Sequence, residues 1–350
     1  MKSQPIIRVF ILFSLLISIF SCQKDKTPQS ESASISVESA TDITETSFRF
    51  AWSANSAAFN KLIVQIAQDI SFEPLLKEIV IHDHAQNSLL VEELNGATNY
   101  TYRIKAVLSN GNDIFSNQKS VTTSFETESI KLITIDGYEL AAKFKYLKSH
   151  KGEKPGIIFM HELGVWVNNW QNAEVVTKLI AEGYACLIFD FRGHGQSDDY
   201  PLPTNIAEIE AFVGVLSYDL SAALNFMKTS DEVDGNKLAL VGGSMGAMMA
   251  IAGNGYDEVK STVALSASQL GIYSIFPNME INSAFFIAGA LDVNAQNLSF
   301  GDEATTLYNI ALEPKKLKIY EDESAHGTEL LLKSGLNEEI IDWINTTIQN

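Results

Sequence analysis

Two patterns of hydrophobic and polar positions divide the chain near residue 127. From residue 35 to about 126, short alternating runs such as Ser47–Trp52 and Tyr100–Ile104 are separated by turn residues. A period of two is typical of half-buried β-strands. About seven such strands in about 90 residues, without helical periodicity between them, predict an all-β sandwich over residues 35–126.

From residue 128 to 350, buried runs instead alternate with segments of helical period. Hydrophobic residues from Trp170 to Ile180 fall at helical spacing and predict one helix, and Leu336–Ile348 predicts a final one. Strands that alternate with helices form a mostly parallel sheet with helices on both faces, so the second domain is predicted to be α/β. The predicted strands are Lys131–Ile135, Leu140–Phe144, Gly156–Met160, Ala185–Phe189, Leu238–Val241, Ser261–Leu265, Ala284–Ala288 and Lys316–Tyr320.

Residues 1–22 have the pattern of an export signal. Lys2 and Arg8 precede an apolar stretch over residues 9–20, which is too short to cross a bilayer of about 30 Å as a helix. The ending Ile19–Cys22 resembles a bacterial lipobox, which implies a signal peptide over residues 1–21 and lipidation of Cys22. Residues 22–34 are then a polar tether. We expect a lipid anchor at the bacterial outer membrane or cell surface; an ordinary cleaved secretory signal is the alternative.

Charge and cysteine content narrow the choice of partners. The chain of 350 residues is 46% hydrophobic and has a formal net charge of −18, which repels nucleic acid and favours neutral or cationic substrates.

Of its two cysteines, Cys186 lies in a predicted buried strand, so no disulfide is expected. His82 and His84 share a strand face but lack a third ligand, so neither a metal nor another cofactor is expected.

The clearest candidate chemistry lies in Gly242-Gly-Ser244-Met-Gly246, which follows an apolar strand and precedes a run of helix formers. This pattern predicts a strand, a sharp turn and a helix, with Ser244 at the apex. A side chain at Gly242 or Gly246 would collide with the neighbouring strand or helix. Ser244 is the predicted nucleophile, and the free backbone N–H of Met245 at the helix start is a predicted oxyanion donor.

Together with three other motifs, this turn resembles the α/β-hydrolase family over essentially all of residues 128–350. The motifs are a strand ending in His161, the turn 190–197 with the sequence Asp-Phe-Arg-Gly-His-Gly-Gln-Ser, and Ser324-Ala-His326-Gly. The family order of serine, acid and histidine implies Asp292 as the acid and His326 as the base. Asp302, Glu303 and Asp322 are alternative acids. Only 18 residues, 266–283, separate two predicted strands where many relatives insert a lid. The short loop implies an open site, closer to that of compact, dienelactone-hydrolase-like members than to that of lidded lipases.

The second oxyanion donor is implied by the same resemblance to be the backbone N–H of Leu163, with a register open by one residue. Glu162 replaces the family's usual glycine. Its carboxylate could weaken catalysis, point outward or select a cationic group. We expect His161 to be structural, and Arg192, His194 and Ser197 to order their own turn.

The sandwich resembles a fibronectin type III module. Trp52 falls near the end of the second strand, and Leu94–Tyr100 matches the corner before a strand in that family, with Tyr100 as the corner tyrosine. Tyr102, Ile104 and Ala106 are expected to point inward. Such modules imply a spacer or a packing surface, with glycan or protein contact as the alternative.

These resemblances imply a serine hydrolase that cleaves an ester or similar acyl compound through an acyl-enzyme. Its substrate is expected to be a small-molecule or glycan-linked acyl compound. Two alternatives stay open from the residues alone. One is a catalytically weak or inactive hydrolase-fold protein that binds a partner at the cell surface, and the other is a peptidase or carbohydrate esterase.

Overall fold

The N-terminal domain, up to about residue 125, folds as two facing antiparallel sheets. The computed structural model describes residues 33–55, 59–83, 85–270, 272 and 279–349. Within these ranges, one sheet has the order β1-β2-β5 and the other β4-β3-β6-β7, with β8 also paired to β6. The strands are β1 Ile35–Val37, β2 Phe48–Ala54, β3 Phe59–Ala67, β4 Lys77–Ile81, β5 Ser88–Val91, β6 Asn99–Leu108, β7 Asp113–Phe115 and β8 Lys119–Thr122.

An aromatic core joins the two sheets. The ring of Phe50 on β2 lies 4.6 Å from the ring of Tyr102 on β6, measured between centroids. Tyr102, Ile104 and Ala106 are all buried, as the period of two predicts. The hydroxyl of Tyr100 accepts a hydrogen bond of 2.9 Å from the backbone N–H of Asn95, so the predicted tyrosine corner is confirmed.

The second half is built on one sheet of eight strands in the order β16-β15-β14-β13-β11-β12-β10-β9. Strands β11 to β16 pair in parallel, and β10 and β9 form an antiparallel edge. The mostly parallel sheet is therefore confirmed. The strands are β9 Glu126–Ile133, β10 Glu139–Tyr146, β11 Lys154–Met160, β12 Ala185–Phe189, β13 Val233–Gly243, β14 Val259–Leu265, β15 Ala284–Gly289 and β16 Lys315–Tyr320.

Helices cover both faces of this sheet. Residues of α3, α4 and α5 pack on one face with Ile158 and Met160, whereas α2 and α6 pack on the other with Ile157 and Phe159. The alternation along β11 explains the continuous apolar run, because both faces of the strand are buried. The helices are α1 Asn168–Gln171, α2 Glu174–Ala181, α3 Ile206–Thr229, α4 Met245–Gly253, α5 Phe300–Ile310 and α6 Leu336–Thr347, with a 3₁₀ helix at Gly327–Leu332.

The single helix predicted over Trp170–Ile180 is wrong, because the structure has two. Asn172 ends α1 with φ −114° and ψ 6°, and Ala173 begins α2 from an extended conformation. Trp170 is fully buried, and its indole N–H donates to the carbonyl of Met160 at 2.9 Å. This tertiary bond orients α1 separately from α2, although the hydrophobic spacing continues across both.

The two halves contact each other through the loop after β10. Both carboxylate oxygens of Glu45 accept backbone hydrogen bonds, from Lys148 at 2.9 Å and Ser149 at 2.8 Å. Ala97 of the sandwich packs in the same apolar cluster as Leu147. Among the described residues, no helix has the length and apolar character needed to cross a bilayer. The predicted signal peptide, tether and Cys22 lie outside or almost wholly outside those residues.

Candidate active site

Ser244 occupies a tight, strained turn between β13 and α4. Its backbone has φ 52° and ψ −115°, a conformation that L-residues rarely adopt. A Cβ added at Gly242 would lie 2.1 Å from the carbonyl oxygen of Gly246, and one at Gly246 would lie 2.2 Å from that of Met160. Both glycines are therefore required by close backbone approach. Strain held at one serine by such packing is typical of functional sites.

The two predicted oxyanion donors flank this turn. Met245 is the first residue of α4, so its N–H has no intrahelical acceptor. Leu163 lies in the loop after β11 and lines the same cavity as Ser244 and Met245. The arrangement brings these two residues together with Ser244, as the resemblance implies.

The ring of His161 orders the loop that carries Leu163. Its Nδ1 donates to the carbonyl of Glu162 at 2.7 Å, and its Nε2 accepts the N–H of Phe191 at 3.0 Å. Burial lowers the pKa of His161 to about 3, so the ring is neutral. Since C=O and N–H point in opposite directions across a trans peptide, fixing the Glu162 carbonyl directs the N–H of Leu163 away from this ring.

Asp292 and His326 meet although 34 positions separate them. Asp292 follows β15 and is buried, and its two oxygens lie 3.0 Å and 2.9 Å from Nδ1 of His326. The ring of Phe300 packs edge-on against the imidazole, with 4.5 Å between centroids. Burial acts to lower the pKa of His326, but the hydrogen bond and charge of Asp292, with the charges of Glu162 and Glu329, raise it overall.

A second serine, Ser266, joins the acid to the loop of the base. It follows β14, is fully buried and has a φ of 51°. Its hydroxyl donates to Oδ2 of Asp292 at 2.7 Å and accepts the N–H of Gly327 at 2.9 Å. Sequence reasoning missed Ser266. Its position directly after β14 becomes informative only once β14 is known to lie beside β13 in the sheet.

The three alternative acids, Asp302, Glu303 and Asp322, do not bond to His326 in the described structure. Glu303 accepts the backbone N–H of Gln269 at 2.7 Å, and the backbone N–H of Asp302 is bonded to Ser299 at the start of α5. Asp322 is exposed. Of the acids considered from the sequence, Asp292 is the one hydrogen-bonded to His326 among the described residues.

Glu162 turns its carboxylate toward the loop of His326. Its Oε1 accepts the N–H of Thr328 at 2.6 Å and the hydroxyl of Thr328 at 2.8 Å. A Cβ on Gly327 would lie 2.2 Å from the same oxygen, so the carboxylate packs directly against that residue. Within the described part of the chain, Glu162 is not among the residues that line the cavity beside Ser244.

The turn Asp190–Ser197 is held by its own polar groups. Arg192 is fully buried and bonds to Asp219 and Asp136, whose carboxylates raise its pKa against the opposing effect of burial. The hydroxyl of Ser197 donates to the carbonyl of Asp190 at 2.6 Å. These contacts agree with the prediction that the turn is ordered by its own residues.

The predicted nucleophile, acid, base and oxyanion donors all line one cavity. It has a volume of about 470 Å³, and Leu163, Ser244, Met245, Asp292 and His326 all line it. The hydroxyl of Ser244 makes no hydrogen bond to any residue that the structure describes. Hydrogen bonds of catalytic groups are often long or poorly aligned before substrate binds.

No metal site accompanies this cavity in the described part of the chain, where no group of three or more His, Cys, Asp or Glu residues is placed to hold an ion. His82 is exposed, and its predicted neighbour on the strand face, His84, lies outside the described residues. Cys186 is buried in β12, and burial raises the pKa of its thiol.

Two family models match segments of the chain, one in each domain. The model of the alpha/beta hydrolase family matches residues 157–326, and that of the fibronectin type III domain matches residues 34–123. A segment of 92 residues is 30% identical to the quorum-quenching protein AidA of Acinetobacter baumannii, and it covers 26% of this chain and 28% of that protein. The chain thus spans little more than a quarter of the length of that curated relative.

Solved structures share the fold of the second half. An esterase from Pyrococcus furiosus superposes with a TM-score of 0.50 at 19% identity, over 64% of this chain and 93% of that one. Acetyl xylan esterase 1 from Thermoanaerobacterium sp. gives a TM-score of 0.51 at 15% identity, over 63% of this chain and 83% of that one. At these identities the likeness concerns the fold alone. The second domain therefore has the fold of an alpha/beta hydrolase, and a segment that matches the fibronectin type III domain precedes it.

Proposed function

We propose that this protein is a serine hydrolase that cleaves an ester or similar acyl compound through an acyl-enzyme. The observation that carries the proposal is the pair of Asp292 and His326, hydrogen-bonded at 2.9 Å in the cavity that also contains the strained Ser244. A nucleophile on a sharp turn, a base and an acid that orients the base are the parts that acyl transfer requires. The esterase-like neighbours agree with this proposal at the level of the fold.

Each group has a defined task in the proposed reaction. Nε2 of His326 takes the proton from the hydroxyl of Ser244, whose oxygen attacks the acyl carbonyl. The backbone N–H groups of Met245 and Leu163 hold the negative charge that develops on the carbonyl oxygen. His326 then gives its proton to the leaving alcohol. Water cleaves the acyl-enzyme by the same steps, and Asp292 keeps the imidazole in the required tautomer throughout.

The contacts of Glu162 answer the concern that its charge would oppose this chemistry. Two donors of Thr328 satisfy one oxygen of its carboxylate, so the group is held against the loop of His326. A negative charge on that side favours the imidazolium that forms during the reaction. Glu162 is therefore compatible with a working oxyanion site.

The test is hydrolysis of 4-nitrophenyl butanoate by the purified protein. We expect turnover that Ser244→Ala abolishes. The matched control is Ser129→Ala, which removes a hydroxyl from the edge strand β9 and leaves turnover within twofold of the wild type. A folded wild type that hydrolyses no ester would favour the alternative of an inactive hydrolase-fold binding protein.

We also propose that the protein is anchored by lipid at Cys22 on the outer membrane or cell surface. The support is the sequence alone, since the lipobox-like segment lies outside the described residues. Cys22→Ala is expected to move the protein from the membrane fraction to the soluble fraction. Unchanged partitioning would contradict lipidation.

A further inference from the structure

The cavity beside Ser244 has mostly apolar walls. Most of its lining comes from the start of α3, the start of α4 and the loop between β15 and α5, and the size of about 470 Å³ lies within the range of small-molecule sites. Side chains that face each other across a cavity set the chemistry of what it binds. Among the apolar lining residues are Leu163, Ile209, Phe212, Met248, Val293 and Leu298.

No ionisable group in the described lining of the cavity is free to pair with a charged ligand. Asp292 and His326 are the ionisable residues among those that line it in the described structure, and they are bonded to each other. The described lining contains neither lysine nor arginine. A carboxylate or phosphate on the substrate would therefore lose its water without gaining a cationic partner, which is strongly unfavourable.

Two apolar residues on the cavity wall are open to solvent. Leu163 is 39% exposed and Val293 is 49% exposed, although both line the cavity. A bound apolar group would cover this surface and gain the hydrophobic free energy that is lost while it faces water. Their exposure favours an apolar occupant over a sugar.

We infer that this cavity binds the acyl group, and that the substrate is an ester of an uncharged, apolar acid of medium chain length. This inference rests on the proposed function and names its substrate class. A methylene group needs about as much room as a water molecule, about 30 Å³, so a cavity of about 470 Å³ corresponds to roughly 15 non-hydrogen atoms. It is much larger than an acetyl group needs, and the end of a long fatty acyl chain would extend out of it.

The inference predicts how the rate depends on chain length. Each methylene group buried in the cavity is expected to raise kcat/KM by roughly threefold to fourfold until the cavity is filled. An acidic group at the end of the acyl chain is expected to cancel this gain, since it has no cationic partner.

The experiment measures kcat/KM of the full-length protein for 4-nitrophenyl acetate, butanoate, octanoate and hexadecanoate, and for the 4-nitrophenyl half-ester of succinic acid. We expect a rise of at least tenfold from acetate to octanoate, a fall at hexadecanoate, and a half-ester at least tenfold slower than butanoate. A series that is flat or favours acetate would overturn the inference while the serine hydrolase stands. No turnover of any ester would overturn both.

Variants of the cavity wall test whether the dependence of kcat/KM on acyl chain length arises in this cavity. Ile209 is a half-buried wall residue on α3, and Ile209→Trp is expected to lower the octanoate-to-acetate ratio of kcat/KM at least fivefold. Ile209→Ala, which cannot overpack the core, is expected to lower the same ratio about threefold. The matched control is Ile310→Trp, at the exposed end of α5 and outside the lining, which keeps the wild-type ratio. Equal ratios in all three variants would overturn the assignment of the cavity.

Discussion

Two loops at the carboxyl edge of the sheet carry the same kinds of side chain and use them differently. In the turn Asp190–Ser197, both ring nitrogens of His194 are engaged: Nε2 accepts the N–H of Gly164 at 3.1 Å, and Nδ1 bonds to the carbonyl of Arg192 at 3.0 Å. Arg192 is enclosed by two carboxylates. These polar groups hold the turn in place by bonds within it and to the elements around it.

The loop of His326 is built in another way. Nδ1 is held by Asp292, whereas Nε2 makes no hydrogen bond to the described residues and the ring lines the cavity with Ser244. Ser266 and Glu162 hold the loop from behind without occupying that nitrogen. Both loops contain a histidine, so the residue type alone does not distinguish a structural role from a catalytic one. What distinguishes His326 is that Asp292 orients its ring while Nε2 is left to bind a ligand.

The largest expected effect comes from removing the charge that orients His326. Asp292→Asn would place an amide against Nδ1 and favour the wrong imidazole tautomer, so we expect kcat to fall by about 10⁴-fold. Ester hydrolysis measures the rate, and circular dichroism checks that the variant is folded. A variant that keeps more than a tenth of the wild-type kcat would show that Asp292 is not the acid.

The corresponding change for the other loop is at Asp219 of α3, which holds Arg192, and it is expected to affect stability instead. Asp219 is fully buried against Arg192, and Asp219→Asn would leave part of a buried charge unpaired. We expect a loss of about 3 kcal/mol in the free energy of unfolding, measured in urea. The kcat per folded molecule should stay within twofold of the wild type, and a catalytic defect without a stability defect would break the comparison.

The smallest expected effect is a shift of the pH profile. A general base works only when neutral, so kcat/KM should rise as the pH passes upward through the pKa of His326, which lies above its ordinary value. Glu162→Gln keeps an acceptor for Thr328 but removes a negative charge that helps to raise that pKa. The acidic limb should therefore move to lower pH.

The matched control for this shift is Asp322→Asn, which neutralises an exposed carboxylate in the segment before His326. Its acidic limb should coincide with that of the wild type. A limb of Glu162→Gln that stays in place or moves to higher pH would show that Glu162 does not act on His326 through its charge.

Much of the second domain could be predicted from local sequence because its signals are local. Buried strands are continuous apolar runs, and the glycines around Ser244 mark a turn that no other residue permits. Chain order then selected Asp292 and His326. The break between α1 and α2 was missed because it depends on a tertiary contact, the hydrogen bond of Trp170. Helix α5 was missed although Ser299 and the acidic residues of its first turn are a local start signal.

The same reasoning explains why Ser266 and the direction of Glu162 could not be predicted. A serine after a strand has no distinctive spacing, and its role appears only when Asp292 and Gly327 are brought to it. Glu162 stands where glycine is usual, and its sequence position gives no information on where its carboxylate points. Thr328, which binds it, is 166 positions away in the chain.

The central claim is that Ser244 is an activated nucleophile. The most direct test treats the folded full-length protein with a fluorophosphonate and locates the adduct by peptide mass spectrometry. The account predicts one phosphonylated residue, Ser244, with labelling lost in Ser244→Ala and strongly slowed in Asp292→Asn. Folded wild-type protein that takes up no label, or takes it up at another serine, would contradict the claim.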